Sequence, residues 1–252
     1  MLVKIGSKNV KNVKLIMMVT IILAAVLCAV LFWVNDYYKA TNTAKKAMLG
    51  NESVEVIEKD GYYLFDSSEN RADTEMGIIF YPGGKVDEKA YAPLLLELAE
   101  HGYEVYLVKM PAKLAIFGAN AAEDIMEDAS HIVNWTMMGH SLGGAMAADF
   151  SASHDKEVDA LVLLAAYSLE DLSSLDMDVY SFYGNEDRVL NMEKYKECQA
   201  NFPDDVIEEV IEGGNHAYYA HYGEQEGDGT ATITREEQQE IVLDLFLNAK
   251  AI

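Results

Sequence analysis

The stretch that most restricts how this chain can fold is Gly139-His140-Ser141-Leu142-Gly143. It spells G-x-S-x-G between an apolar run, Val133-Asn134-Trp135-Thr136-Met137-Met138, and a run of small residues, Gly143-Gly144-Ala145-Met146-Ala147-Ala148. The first run reads as a strand and the second as a helix. A serine on so tight a strand-to-helix turn is pushed into a strained backbone conformation with its Oγ exposed. Glycines beside it let neighbouring backbone approach without a Cβ clash. The bare motif arises by chance in roughly one chain of this length in ten, so the flanking elements carry the weight.

The same alternation of strand and helix runs through the chain. Residues 54–58 and 62–65 read as a hairpin around Asp60-Gly61, and 77–81 as a buried strand ending at Pro82-Gly83-Gly84. Helical spacing through Leu94, Leu95, Leu96 and Leu98 ends at Gly102, and a strand follows at 103–108. An acidic helix at 121–129 precedes the strand that leads to Ser141. Further strands are expected at 158–165, 178–183 and 206–211, with a helix at 192–200 and a closing amphipathic helix at 235–249. Buried β-branched strands alternating with helices predict an α/β fold, a mostly parallel sheet covered on both faces. Functional groups in such sheets gather at the carboxyl ends of the strands.

Ahead of this pattern stands a different signal. Leu15 to Val34 is apolar except for Thr20, long enough as a helix of about 20 residues to cross a hydrocarbon core of about 30 Å. Lys4, Lys8, Lys11 and Lys14 precede it, which predicts a cytoplasmic N-terminus at 1–14 and an outward-facing remainder. A cleavable signal peptide, which would leave a secreted protein, has a shorter apolar region and a small-residue cleavage site. Here the nearest candidate, Thr41-Asn42-Thr43-Ala44, is poor, so an uncleaved anchor at 15–34 is expected. Residues 35–50 read as a tether and 51–252 as one domain.

With 42 acidic against 19 basic residues, a net charge of −23 disfavours nucleic acid as a partner. The two cysteines, Cys28 and Cys198, fall one in the apolar run and one beyond it, so no disulfide can form within 51–252. Neither H-E-x-x-H nor a paired C-x-x-C occurs, so no zinc site is expected.

A serine hydroxyl needs a positioned base, and the base an orienting acid. After Ser141, the strand at 178–183 runs out into Gly184-Asn185-Glu186-Asp187. Asp187 is the expected acid, with Glu186 as rival and a helix N-cap as the plain structural alternative. The next strand opens into Gly213-Gly214-Asn215-His216, where the glycines let the ring swing towards the serine. His216 is the expected base over His221, which sits deeper in an aromatic stretch. His140 is read as packing, with its side chain aimed away from the serine's partner. His101, His131 and His154 are read as surface or helix-end residues. The oxyanion hole needs backbone N–H groups. One is expected from Leu142, after the nucleophile. The other is expected from Gly84, with Lys85 as the alternative.

The order Ser141, Asp187, His216, together with the elbow and the Gly-rich loop after Tyr81, resembles the α/β-hydrolase superfamily. Phe80-Tyr81-Pro82-Gly83-Gly84-Lys85-Val86, Tyr91-Ala92-Pro93-Leu94 and Val108-Lys109-Met110-Pro111 resemble its dienelactone-hydrolase-like bacterial branch, from about residue 52 onward. The resemblance implies an α/β-hydrolase fold of about eight strands and ester or thioester hydrolysis without a cofactor. The chain departs from it in having Pro82-Gly83 where many relatives carry His-Gly, and serine where true dienelactone hydrolases carry cysteine. Residues 167–178 are too few for a cap domain, so an open site is expected, rimmed by Lys85, Tyr167 and Tyr218. The resulting expectation is a membrane-anchored, extracytoplasmic serine hydrolase that cleaves a small-molecule or envelope carboxylic ester. An envelope acyltransferase using the same three side chains and a non-catalytic surface binding module are the alternatives.

Overall fold

With neither proline nor glycine after Gly6 to interrupt it, the N-terminal run forms one long helix, α1 (Gly6–Asn35), in this computed structural model. The structure describes residues 6–67 and 75–249; Lys4 and the last three residues of the expected domain lie outside them. Lys14–Asn35 is the one helix among the described residues long and apolar enough to cross a membrane. Its single internal hydroxyl, Thr20 Oγ1, turns back onto the Ile16 carbonyl at 2.9 Å, so that hydroxyl is satisfied within the helix.

Met1–Tyr37 forms one unit and Tyr38–Ile252 another. The second is built on eight strands: β1 (Glu55–Glu58), β2 (Tyr62–Asp66), β3 (Met76–Tyr81), β4 (Glu104–Val108), β5 (Asn134–His140), β6 (Ala160–Leu164), β7 (Asp178–Gly184) and β8 (Ile207–Ile211). They lie in the order β1-β2-β4-β3-β5-β6-β7-β8. The β1–β2 and β2–β4 pairs are antiparallel and all the others parallel. Gly61, at φ 87°, makes the β1–β2 turn.

The two-residue alternation of each strand sends its side chains to two separate cores. On one face Ile78, Phe80, Met138 and Val162 pack with α3 (Ala92–Glu100) and α7 (Arg235–Ala249), through Leu94, Leu98, Val242 and Phe246. On the other Ile79, Met137, Leu161 and Leu163 pack with α4 (Ala121–Asp128), α5 (Leu142–Ser153) and α6 (Met192–Cys198), through Ile125, Phe150 and Tyr195. Both faces of the central strands are therefore buried, which is why their sequences are continuously apolar. Cys198 is buried in the second unit.

The tether expected at 35–50 is shorter than the sequence indicated. From Tyr38 onward it packs into the domain: the Tyr38 N–H donates to Lys85 O at 2.8 Å, and the Asp87 N–H to Tyr38 O at 2.9 Å. A short helix, α2 (Asn42–Ala47), follows, capped by the Thr41 hydroxyl. Ala40 and Ala44 are buried because their small side chains let this segment lie close against its neighbours. Between β6 and β7 the chain makes turns and no helix, so the site carries no cap there.

Candidate active site

Ser141 stands between β5 and α5 with φ 53° and ψ −122°, a left-handed conformation that L side chains avoid. The surrounding glycines make this turn possible. A Cβ on Gly143 would lie 2.1 Å from the Tyr81 carbonyl oxygen and 2.4 Å from that of Pro82; one on Gly139 would lie 2.6 Å from Gly143 backbone. The Ser141 N–H is held by Leu164 O at 2.9 Å, tying the turn to β6.

The candidate acid and base follow two later strands, β7 and β8. Asp187 follows β7, and its Oδ1 accepts the N–H groups of Val189 and Leu190, each at 2.8 Å. It does not cap α6: Asn191 does, accepting from the Lys194 N–H. Asp187 Oδ2 lies 2.8 Å from His216 Nδ1, and both side chains are almost fully buried. A carboxylate can only accept, so Nδ1 carries the proton and the lone pair of the neutral ring falls on Nε2. Glu186, the rival acid, pairs instead with Arg188 at 3.2 Å near the surface. His216 and Ser141 line one cavity of about 350 Å³. Its remaining wall is largely apolar, with Leu142, Ala145, Met146, Ala166, Tyr167 and Leu190. Tyr167 thus sits where the sequence placed it. Lys85 and Tyr218 are absent from the lining, and Tyr218 instead lies under the Arg235 guanidinium at 4.0 Å.

Near Ser141, the N–H groups of Gly84, on the loop after β3, and Leu142, at the start of α5, keep no acceptor among the described residues. The neighbouring donors are occupied. Lys85 N–H goes to Lys113 O at 2.7 Å, and Gly83 N–H to the Tyr91 hydroxyl at 3.0 Å. Gly84 lies over Leu142, whose Cδ2 would be 3.0 Å from a Cβ placed there.

His140 corrects an expectation. Far from aiming away, its ring lies 4.5 Å from that of His216, centre to centre. A hydrogen bond 2.8 Å long to the Tyr91 hydroxyl, from a residue 49 positions earlier, draws it there. That hydroxyl accepts from the Gly83 N–H, and His140 Nδ1 is the acceptor within reach of its own proton, a pairing that puts the His140 proton on Nε2. Nε2 is buried and without a hydrogen-bond partner among the described residues. Burial first, and the His216 ring second, hold the His140 imidazole well below the usual histidine range. Burial likewise pushes the Tyr91 phenol up, keeping it a donor. Of the other histidines, His101 and His154 cap helix ends, and half-exposed His131 meets Glu104 at 2.8 Å. Among the described residues no cluster of ligating side chains is arranged for a metal.

Comparison with known proteins follows the same line. The model of the alpha/beta hydrolase family matches residues 77–240. Over 121 residues the chain is 32% identical to a protein of Mycobacterium phage D29 named as a non-heme haloperoxidase, spanning 44% of this chain and 42% of that one. Among solved structures, a protein described as a CIB-like hydrolase from Thermoplasma acidophilum superposes with a TM-score of 0.58 at 19% identity, covering 77% of this chain and 97% of that one. Naproxen esterase (carboxylesterase NP) from Bacillus subtilis does so with a TM-score of 0.55 at 11% identity, covering 81% and 95%.

Proposed function

Since the chain belongs to the alpha/beta hydrolase family, we propose that it is a serine hydrolase of carboxylic esters, anchored in a membrane by residues 15–34 with its second unit outside the cytoplasm. Ser141 attacks the ester carbonyl, His216 Nε2 takes the serine proton and returns it to the leaving alcohol, and Asp187 holds the imidazole and stabilises its charged form. The free N–H groups of Gly84 and Leu142 receive the negative oxygen of the tetrahedral intermediate. Water then releases the acyl group from Ser141 by the same route.

One observation carries this reading: the buried 2.8 Å contact between His216 and Asp187, with His216 and Ser141 on the wall of one cavity. A solvated acid or a packing histidine would not need that arrangement. The apolar wall beside Ser141 supports an uncharged acyl chain as the part of the substrate held there. Ser141→Ala in the full chain, purified in detergent, is expected to abolish turnover of p-nitrophenyl acetate while leaving the circular dichroism spectrum unchanged. Turnover at the wild-type rate in that variant would refute the mechanism.

A further inference from the structure

Asp187 takes two of the three N–H groups in the turn that follows it and leaves the first, Arg188, to another carboxylate. Arg188 N–H donates to Asp228 Oδ1 at 3.3 Å. The other oxygen of Asp228 accepts from Ala217 N–H at 2.9 Å. Arg188 and Ala217 are the residues directly after Asp187 and His216. One half-buried side chain thus reaches both loops, the one carrying the acid and the one carrying the base.

Neighbouring contacts make the bridge rigid. Gly229 N–H also donates to Asp228 Oδ1 at 2.8 Å. The Gly229 carbonyl accepts from Asn215 Nδ2 at 2.8 Å, and a Cβ on Gly229 would fall 1.8 Å from the Glu186 carbonyl oxygen. Asn215, the residue before His216, is itself clasped by Gln238 of α7 in a reciprocal pair of 2.9 Å bonds. The start of α7 is fixed in turn by a capping box, Thr234 with Glu237.

We propose that Asp228 is a positioning residue that sets the distance and angle between His216 and Asp187, and through them the reach of the imidazole to Ser141. The inference rests on the roles given above to those three residues. Three N–H groups converge on Asp228, and a carboxylate offers only acceptors, about four lone-pair sites on two oxygens. Alanine offers none, and asparagine must turn an NH₂ group towards an N–H. Freed of the bridge, the two loops lose their shared reference, and misplacement of a reacting group by about 1 Å costs about 10²-fold in rate.

The test uses the full chain in detergent and a fluorophosphonate probe, whose final labelling counts competent sites and whose rate reports how well the serine is activated. Asp228→Ala is expected to label to wild-type stoichiometry but about 10²-fold more slowly. For p-nitrophenyl acetate, kcat per labelled site should fall by a similar factor with KM within about twofold, and Asp228→Asn should fall between. Glu226→Ala, an exposed change in the same segment, should label at the wild-type rate. The proposal is overturned if per-site labelling of Asp228→Ala stays within about threefold of wild type. It is equally overturned if only the number of competent sites drops, which is what a purely structural role would produce. Should Asp228→Ala not fold, Asp228→Asn decides by the same criteria. A wild-type chain that takes no label overturns the reading of Ser141, and the bridge with it.

Discussion

His140 shows how much one side chain's direction depends on partners far along the chain. It is buried, neutral and bound through Nδ1 to Tyr91, so it resists taking a second proton. A histidine held below its ordinary value binds its proton less readily folded than unfolded. Unfolding in that window takes a proton up. The contribution is therefore complete above about pH 6.5 and is lost as the pH falls below it, at up to about 1.4 kcal/mol per pH unit for this group. His221, lowered by burial and then by Arg235, acts in the same direction. We expect His140→Gln to flatten the fall in urea-unfolding free energy between about pH 6.5 and 5 relative to wild type. An unchanged slope would mean that His140 takes no part in it. The sequence showed that a histidine precedes the serine. It did not show where the ring points, because Tyr91 is brought to it by folding and not by spacing. Lys85 is a parallel case: its N–H is spoken for by Lys113, a contact that local sequence does not encode.

At the scale of elements the sequence was far more legible. Continuous apolar runs located the central strands, and the small-residue stretch after Ser141 located α5, because both reflect burial of whole faces. The placement of Ser141, Asp187 and His216, the candidate serine, acid and base, was readable for the same reason: each follows a strand, and strand ends meet at one edge of a parallel sheet. What escaped was the docking of 38–50, whose polar composition hides two buried alanines, and the role of Asp228, an acid in a Gly-rich loop. The junction of β5 and α5 is also where the fold has least room. Gly143→Ala would drive a Cβ into two backbone oxygens that cannot rotate away. We expect a loss of about 1–3 kcal/mol or more, read from urea midpoints. A variant as stable as wild type would mean that the elbow can open without cost.

The whole molecule joins a long apolar helix to a strongly acidic α/β unit. If residues 15–34 hold it in a bilayer, the full chain should sediment with membranes and leave them only in detergent. Residues 38–252, which form the second unit, should then remain in the supernatant. Release of the full chain by high salt alone would dismiss the anchor, since salt screens charge and leaves apolar insertion intact. The acidic surface favours solubility and disfavours polyanions over the same area. Within that unit the lone thiol, Cys198, is sequestered among packed side chains. Its stability consequently does not depend on a disulfide: a reductant finds no covalent staple to cut, and an oxidising compartment adds none. The same native state is available on either side of a membrane, without help from thiol-exchange machinery.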